Sequence, residues 1–169
     1  MKSKRAKKAI ADLEAAGWLV VDVTSSSPDP EYRKFSPFYP HGNIKVDGNT
    51  SESVEGLWQG LKVFEGTGVD NTKFGVKNMK NLKRTCRKYG KVLGHQFQGQ
   101  VIDYVTARKK IFIPTYQQLL NTMEGTVHNL AEVSKTHNIV LLDYDTNESV
   151  EDTSKPLSHA SLIKKAIIG

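Results

Sequence analysis

The protein has 169 residues, of which 38% are hydrophobic and 25% charged, and its formal net charge is +6. This length suits one domain that buries a hydrophobic core without metal or disulfide cross-links. The composition excludes an intrinsically disordered chain. The single cysteine, Cys86, excludes an internal disulfide and favours a reducing, cytoplasmic setting. No apolar run approaches the roughly 20 residues of a membrane span, so we expect no membrane partner.

The first predicted elements are a helix and two strands. Residues 2–16 have the apolar spacing of a helix, which ends at Gly17. Residues 18–24, with the sequence WLVVDVT, are typical of a strand inside a sheet. After a polar loop, residues 44–46 predict a short strand that turns at Asp47-Gly48.

An amphipathic helix is predicted to begin near Ser53, which has the side chain of a helix cap. Its apolar stripe has the i, i+3, i+4, i+7 spacing of a buried face. The stripe consists of Val54, Leu57, Trp58, Leu61 and Phe64. A second, polar line consists of Glu55, Gln59 and Lys62. Gly56 and Gly60 lie between the two lines, which indicates that a backbone or a ligand comes close to the helix there.

The later part of the chain is predicted to be mostly helical. The predicted helices are residues 71–89, 100–110, 115–123 and 126–135. Residues 90–99 are predicted to form a glycine-rich loop, in which Lys91, His95 and backbone N–H groups can hold a phosphate. Residues 139–145 predict a further strand, and Pro156 suits the first position of a last helix. These elements predict a helix-rich α+β fold with a small β-sheet.

The stretch from Phe35 to Phe64 contains a set of spaced positions that form a motif. The positions are Phe35, Ser36, Phe38, Ile44 to Gly48, Ser53, Glu55, Gln59 and Lys62. In this motif the sequence resembles the NADAR (YbiA-like) family, whose members cleave N-glycosidic bonds. The resemblance implies a YbiA-like single domain over residues 1–169, as a divergent branch of that superfamily.

Hydrolysis of a glycosidic bond needs a carboxylate beside an oxocarbenium-like transition state and a donor for the leaving group. The resemblance implies Glu55 as one catalytic residue. It implies Asp152 as the second, with Asn147 shortly before it. Val150 and Glu151 stand where the family has Trp-Gly, so an aromatic residue that stacks on a base is missing.

The remaining candidate residues are expected to bind substrate. They are Ser36, Phe38, Gln59, Lys62, Arg108, Asn147 and His159. His159 is expected to be a neutral imidazole close to Asp152, and a capping or surface histidine is an equal alternative. Without the motif, the polar helix line is better explained as a solvent-exposed strip. Trp58 is better explained as a core residue than as a stacking surface. No histidine pair has metal-ligand spacing with a carboxylate, so neither a metal nor a cofactor is expected.

The positive charge is concentrated between Asn71 and Ile102, where no acidic residue occurs. The basic residues there are Lys73, Lys77, Lys80, Lys83, Arg84, Arg87, Lys88 and Lys91. This basic segment is typical of a surface that binds polyphosphate or nucleic acid, and a solvated helix face explains it equally well.

Two classes of function follow from these patterns. The first is an N-glycosidase that acts on a phosphorylated ribosylamino-pyrimidine or on an ADP-ribosyl group attached to guanine, as the resemblance implies. The second is non-catalytic: an ADP-ribose or nucleotide-binding module, or a nucleic-acid-binding accessory protein that uses the basic segment. The missing Trp-Gly favours binding, whereas Glu55 beside Gln59 and Lys62 favours catalysis.

Overall fold

A computed structural model describes every residue from Met1 to Gly169. The fold is α+β and rich in helix, which confirms the prediction. Three small sheets are present where the sequence predicts one. The chain divides into two compact units. The terminal unit consists of Met1–Ser36 and Leu120–Gly169, and the central unit of Pro37–Leu119.

Eight strands and eight α-helices follow one another along the chain, and the longest stretches between them are residues 65–85 and 144–158. The elements are β1 (Lys2–Ser3), α1 (Lys7–Ala15), β2 (Leu19–Asp22), α2 (Pro30–Arg33), β3 (Ile44–Val46), β4 (Asn49–Ser51), α3 (Val54–Gly60), β5 (Lys62–Phe64), α4 (Cys86–Tyr89), β6 (Val92–Phe97), β7 (Gln100–Ile102), α5 (Tyr104–Ala107), α6 (Ile113–Thr122), α7 (Glu124–Ser134), β8 (Ile139–Asp143) and α8 (His159–Ile168). A 3-10 turn covers Asn71–Gly75, and a π-helical turn over Arg108–Phe112 joins α5 to α6. None of these helices combines the length and apolar character needed to cross a bilayer.

The terminal unit is built on a parallel sheet in which β8 lies between β1 and β2. The central strand is apolar because both of its edges and its faces are covered: Val140, Leu141 and Leu142 are all buried. Helix α8 packs against β8 and against α7. The two strands that the sequence predicts most clearly, β2 and β8, are therefore neighbours in one sheet.

The central unit contains the hairpin β3-β4 and the antiparallel sheet β5-β6-β7. Helix α3 packs against β4, the 3-10 turn and the π-helical turn. Its predicted apolar stripe is buried from Val54 to Leu61. The glycines also behave as predicted, because a Cβ on Gly56 would lie 2.8 Å from the carbonyl oxygen of Lys73 and one on Gly60 would lie 2.9 Å from that of Asp70.

Several predicted elements are wrong in type or extent. Residues 2–3 form β1, so the first helix begins only at Lys7. Residues 71–89 are not one helix, because the backbone has positive φ at Met79 and Asn81. Residues 90–99 are not one glycine-rich loop, because Val92–Phe97 form β6, which pairs on one side with β5 and on the other with β7. The last helix begins at His159, after Pro156.

Candidate functional site

Helix α3 carries the acidic residue that is predicted to be catalytic. Its cap is Ser53, whose hydroxyl oxygen accepts a hydrogen bond of 3.0 Å from the N–H of Gly56. Glu55 lies in the first turn, and its N–H donates to the carbonyl oxygen of Pro37 over 2.8 Å. Only 7% of Glu55 and 4% of Gln59 are exposed to solvent. The alternative of a solvent-exposed polar strip is therefore wrong.

A chain of hydrogen bonds holds the Glu55 side chain. The Nε2 of Gln59 donates to Oε1 of Glu55 over 2.7 Å, and Oε1 of Gln59 accepts from the N–H of Arg84 over 2.9 Å. Because a backbone N–H only donates, the Gln59 amide is oriented with its NH2 group toward Glu55. Glu55 is thus held as a hydrogen-bond acceptor by its neighbour one turn along the helix.

Lys62 is not on helix α3 as predicted, because the helix ends at Gly60 and Lys62 is the first residue of β5. It nevertheless lies within electrostatic reach of Glu55. Burial lowers the pKa of Lys62, and the charge of Glu55 acts in the opposite direction. The half-buried ammonium group of Lys62 is therefore near enough to the buried carboxylate of Glu55 for the two charges to interact.

An aromatic group adjoins these two residues. His95 in β6 is directly opposite Lys62 in β5. The ring centroids of His95 and Trp58 are 4.0 Å apart, and Nε2 of His95 is 3.1 Å from the carbonyl oxygen of Trp58. The Tyr104 ring packs edge-on against Trp58 with centroids 5.5 Å apart. Trp58 is 7% exposed, which confirms that it is a core residue.

Acidification from pH 7 to pH 5 is expected to lower the free energy of unfolding by about 2 kcal/mol through His95 alone. Burial first, and then the charge of Lys62, lowers the pKa of His95 to about 3. An unfolded histidine has a pKa of about 6.5, so between these two values the unfolded chain binds the proton more tightly. This stabilising contribution is present above pH 6.5 and is lost as the pH falls.

Urea unfolding at pH 7 and pH 5 measures this loss. In His95→Gln the difference between the two pH values should shrink by about 2 kcal/mol. His128→Gln is the matched control, because His128 is an exposed histidine. An unchanged pH dependence in His95→Gln would contradict a buried, neutral His95.

Arg108 and Phe38 also belong to the central unit. Arg108 is 1% exposed, and its guanidinium lies 4.7 Å from the centroid of the Tyr104 ring. Tyr104 contacts both Trp58 and His95, so Arg108 reaches the same aromatic group. Phe38 is half-buried, with the Nζ of Lys83 5.9 Å from its ring centroid.

Four predicted substrate-binding or catalytic residues lie in the terminal unit: Ser36, Asn147, Asp152 and His159. The amide of Asn147 donates to the carbonyl oxygens of Asp152 and Lys155 over 3.1 and 3.2 Å. The exposed carboxylate of Asp152 accepts a bond of 3.0 Å from the N–H of Ser154. Ser36 is 1% exposed and follows helix α2. Asn147 and Asp152 therefore close the loop that leads to α8.

His159 is buried, and both of its ring nitrogens face acceptors within the terminal unit. Nδ1 is 3.1 Å from Oδ2 of Asp143, and Nε2 is 2.8 Å from the carbonyl oxygen of Val23. This geometry suits a protonated ring, so the expected neutral imidazole and the surface alternative are both wrong. Burial acts to raise the pKa of Asp143, but the charge and hydrogen bond of His159 and the hydroxyl of Ser158 hold that pKa below its usual value.

The basic segment does not form one charged helix face. Arg84 is only 4% exposed, and the ammonium group of Lys73 donates to the carbonyl oxygen of Asn81 over 2.5 Å. The residues that are exposed are Lys77, Lys80, Lys83, Arg87, Lys88 and Lys91. A positively charged surface remains, built from turns and the short helix α4.

The structure therefore assembles part of the predicted site within the central unit. Glu55, Gln59 and Lys62 form one polar cluster, which is flanked by the aromatic group that Arg108 contacts. Arg84 was not among the predicted site residues, because an arginine in a basic run gives no sign of burial. His95 was predicted to be a loop residue, and the sequence of β6, VLGHQF, lacks the alternation of polar and apolar residues that would have indicated a strand.

The sequence profile of one protein family matches residues 3–163 of this chain. The family is described as a family of unknown function, DUF6939, and the chain belongs to it. No curated protein matches the sequence. The resemblance to the NADAR family therefore stays a prediction.

Proposed function

Since membership of DUF6939 assigns no activity, we propose from the central site that the protein is an N-glycosidase. Its substrate is a phosphorylated ribosylamino-pyrimidine or an ADP-ribosyl group on guanine. The observation that carries the proposal is the buried Glu55 carboxylate, held by Gln59 and within electrostatic reach of Lys62. Burying a carboxylate costs free energy, which a hydrogen-bond or ionic partner only partly offsets. A buried, charged side chain is therefore a candidate functional group, whereas an exposed one on a helix surface is not.

In the proposed reaction, water replaces the nitrogen on the anomeric carbon. The C–N bond breaks, a C–O bond forms, and the proton from water is transferred to the leaving nitrogen. Glu55 stabilises positive charge on the sugar and accepts the proton of the attacking water. Lys62 and Arg108 balance phosphate charge, and the NH2 group of Gln59 keeps the carboxylate in place.

Glu55→Gln is expected to reduce turnover by at least about 100-fold, because the amide neither stabilises the cation nor accepts a proton. The assay measures base release by chromatography. Its substrates are a DNA oligonucleotide carrying ADP-ribosyl-guanine and, separately, a ribosylamino-pyrimidine phosphate. Glu14→Gln is the matched control, since Glu14 is an exposed glutamate of α1. Asp152→Asn, assayed in parallel, tests the second carboxylate that the resemblance implies.

Equal turnover in Glu55→Gln and Glu14→Gln would refute the assigned role of Glu55. Turnover of neither substrate by the wild type would refute the N-glycosidase proposal for both substrate classes. The same assay distinguishes the substrates, since each releases a different base. We also propose a cytoplasmic location, because the chain has a single cysteine.

A non-catalytic binding module is the second candidate. The observation in its favour is that Asn147 and Asp152 hydrogen-bond to neighbouring residues of their own loop. The second carboxylate that the resemblance implies for catalysis thus has a structural role in that loop. It predicts that ADP-ribose raises the melting temperature of the wild type without being cleaved. The exposed lysines and arginines of the basic segment favour nucleic acid as a further partner. Binding to DNA would then weaken with salt and would persist in Glu55→Gln.

A further inference from the structure

The imidazole of His95 is held in one tautomer by helix α3. Its Nε2 is 3.1 Å from the carbonyl oxygen of Trp58, the carbonyl group of a residue between Glu55 and Gln59 on that helix. A carbonyl oxygen only accepts, so Nε2 carries the hydrogen. With the pKa lowered to about 3, the ring is neutral at pH 7. Nδ1 is therefore left with a bare lone pair, which can only accept.

This lone pair has no hydrogen-bond partner in the protein, and the His95 side chain is 0% exposed. Buried polar atoms are almost always paired, and a buried atom without a partner calls for a ligand, a water or a functional explanation. Nε2 of the same ring has a hydrogen-bond partner, so the surroundings of the ring are not purely apolar.

The surroundings of the ring define what would bind there. His95 is directly opposite Lys62 in the β5-β6 ladder, so both side chains lie on one face of the sheet. The charged groups that act on the imidazole are the cations of Lys62 and Arg84. A ligand suited to this place carries an anionic group for Lys62 and, next to it, a hydrogen-bond donor for Nδ1.

We propose that Nδ1 of His95 accepts a hydrogen bond from a hydroxyl or N–H group of the ligand bound at Glu55 and Lys62, and that His95 selects ligands in which this donor is close to a phosphate. The inference rests on the proposed function for the location of the ligand and adds a specificity-determining residue. Because His95 is buried, the donor reaches it on the face it shares with Lys62, whose long side chain is flexible and only half-buried.

Two substitutions separate ligand recognition from a structural role. His95→Asn keeps a polar group near the position of Nδ1 but loses the bond to Trp58. His95→Gln keeps a donor that reaches the Trp58 carbonyl oxygen but loses the acceptor at Nδ1. Recognition through Nδ1 predicts weaker ligand binding in His95→Gln, by roughly five- to tenfold, and a smaller change in His95→Asn. A purely structural role predicts the reverse order.

The binding probes are ribose 5-phosphate, 2-deoxyribose 5-phosphate and ADP-ribose, measured by calorimetry. The two sugar phosphates have no N-glycosidic bond, so binding is measured whether or not the protein is an N-glycosidase. Weaker binding of the deoxy sugar to the wild type, with no such difference in His95→Gln, identifies a sugar hydroxyl as the donor. Binding of ADP-ribose alone, with the same dependence on His95, shows that the donor belongs to the part of the ligand that the two sugar phosphates lack.

Nitrogen NMR of the wild type labelled at histidine gives an independent test that requires no variant to fold. The free protein should show the Nε2–H tautomer, and Nδ1 should shift toward the value of a hydrogen-bonded nitrogen when a probe binds. A Nδ1 signal that none of the three probes changes, or equal loss of binding in the two variants, would overturn the proposal.

Discussion

Replacing Arg84 with alanine is expected to lower the free energy of unfolding by about 3 to 5 kcal/mol. The guanidinium donates to the carbonyl oxygens of Gln59, Lys62 and Gly68 over 3.1, 2.6 and 2.8 Å. The group is also 4.7 Å from the centroid of the Phe64 ring. Hydrogen bonds to a charged donor contribute about 1.5 to 3 kcal/mol each, and buried carbonyl groups that lose their donor are costly. Because contacts on one side chain are not additive, we expect less than their sum.

Urea denaturation monitored by circular dichroism measures this change. Arg87→Ala is the matched control, because Arg87 lies three residues further along the same basic segment and is exposed. Its effect should stay within about 0.5 kcal/mol. Arg84→Lys should recover little, since an ammonium group does not reach three carbonyl groups with the fork of a guanidinium. Equal effects at Arg84 and Arg87 would show that Arg84 is another solvated charge.

Gly56→Ala and Gly60→Ala are each expected to destabilise the protein by about 2 to 3 kcal/mol, although alanine is the better helix former. A Cβ at position 56 would be 2.8 Å from the carbonyl oxygen of Lys73 and would overlap the hydroxyl of Ser51. A Cβ at position 60 would be 2.9 Å from the carbonyl oxygen of Asp70. At each position one neighbour is a backbone carbonyl group, which moves only if the 3-10 turn shifts away from α3, and the others are side chains of Ser51, Ser53 and Phe74.

Gly125→Ala is expected to change the stability in the opposite direction. Gly125 lies in α7, and a Cβ there has nothing within 4 Å, so helix propensity alone should stabilise the protein by up to about 1 kcal/mol. Thermal unfolding of the three variants compares the two effects directly. If Gly56→Ala and Gly60→Ala raise the melting temperature as Gly125→Ala does, the close packing against α3 is refuted.

The elements that the sequence predicts well are those whose burial pattern is local. Strand β8 is a continuous apolar run, and α3 combines a cap at Ser53 with a regular stripe. The predicted end of α3 was wrong. Lys62 and Phe64 continue the helical spacing in the sequence, but in the structure they form strand β5, which pairs with β6. Pairing partners lie far along the chain, so spacing within a short window does not reveal them.

The candidate site was predictable to the same degree. Glu55 and Gln59 are one turn apart on a single helix, so their hydrogen bond follows from local geometry. The contributions of Arg84 and His95 depend on long-range contacts. In the sequence, Arg84 is one of eight basic residues and His95 is part of a predicted loop. The residues next to them in the chain do not indicate that either is buried.

The position of β8 between β1 and β2 has a consequence for the order of folding. Both edge strands come from the first residues of the chain, whereas the strand between them ends at Asp143. During synthesis, β1 and β2 cannot pair in this sheet until β8, far along the chain, has been made. Closing such long loops is slow, so the sheet should form late, after the segment Pro37–Leu119 has left the ribosome. Until then, β2 is an unpaired apolar strand of the nascent chain, and a chaperone that binds it would act during that interval.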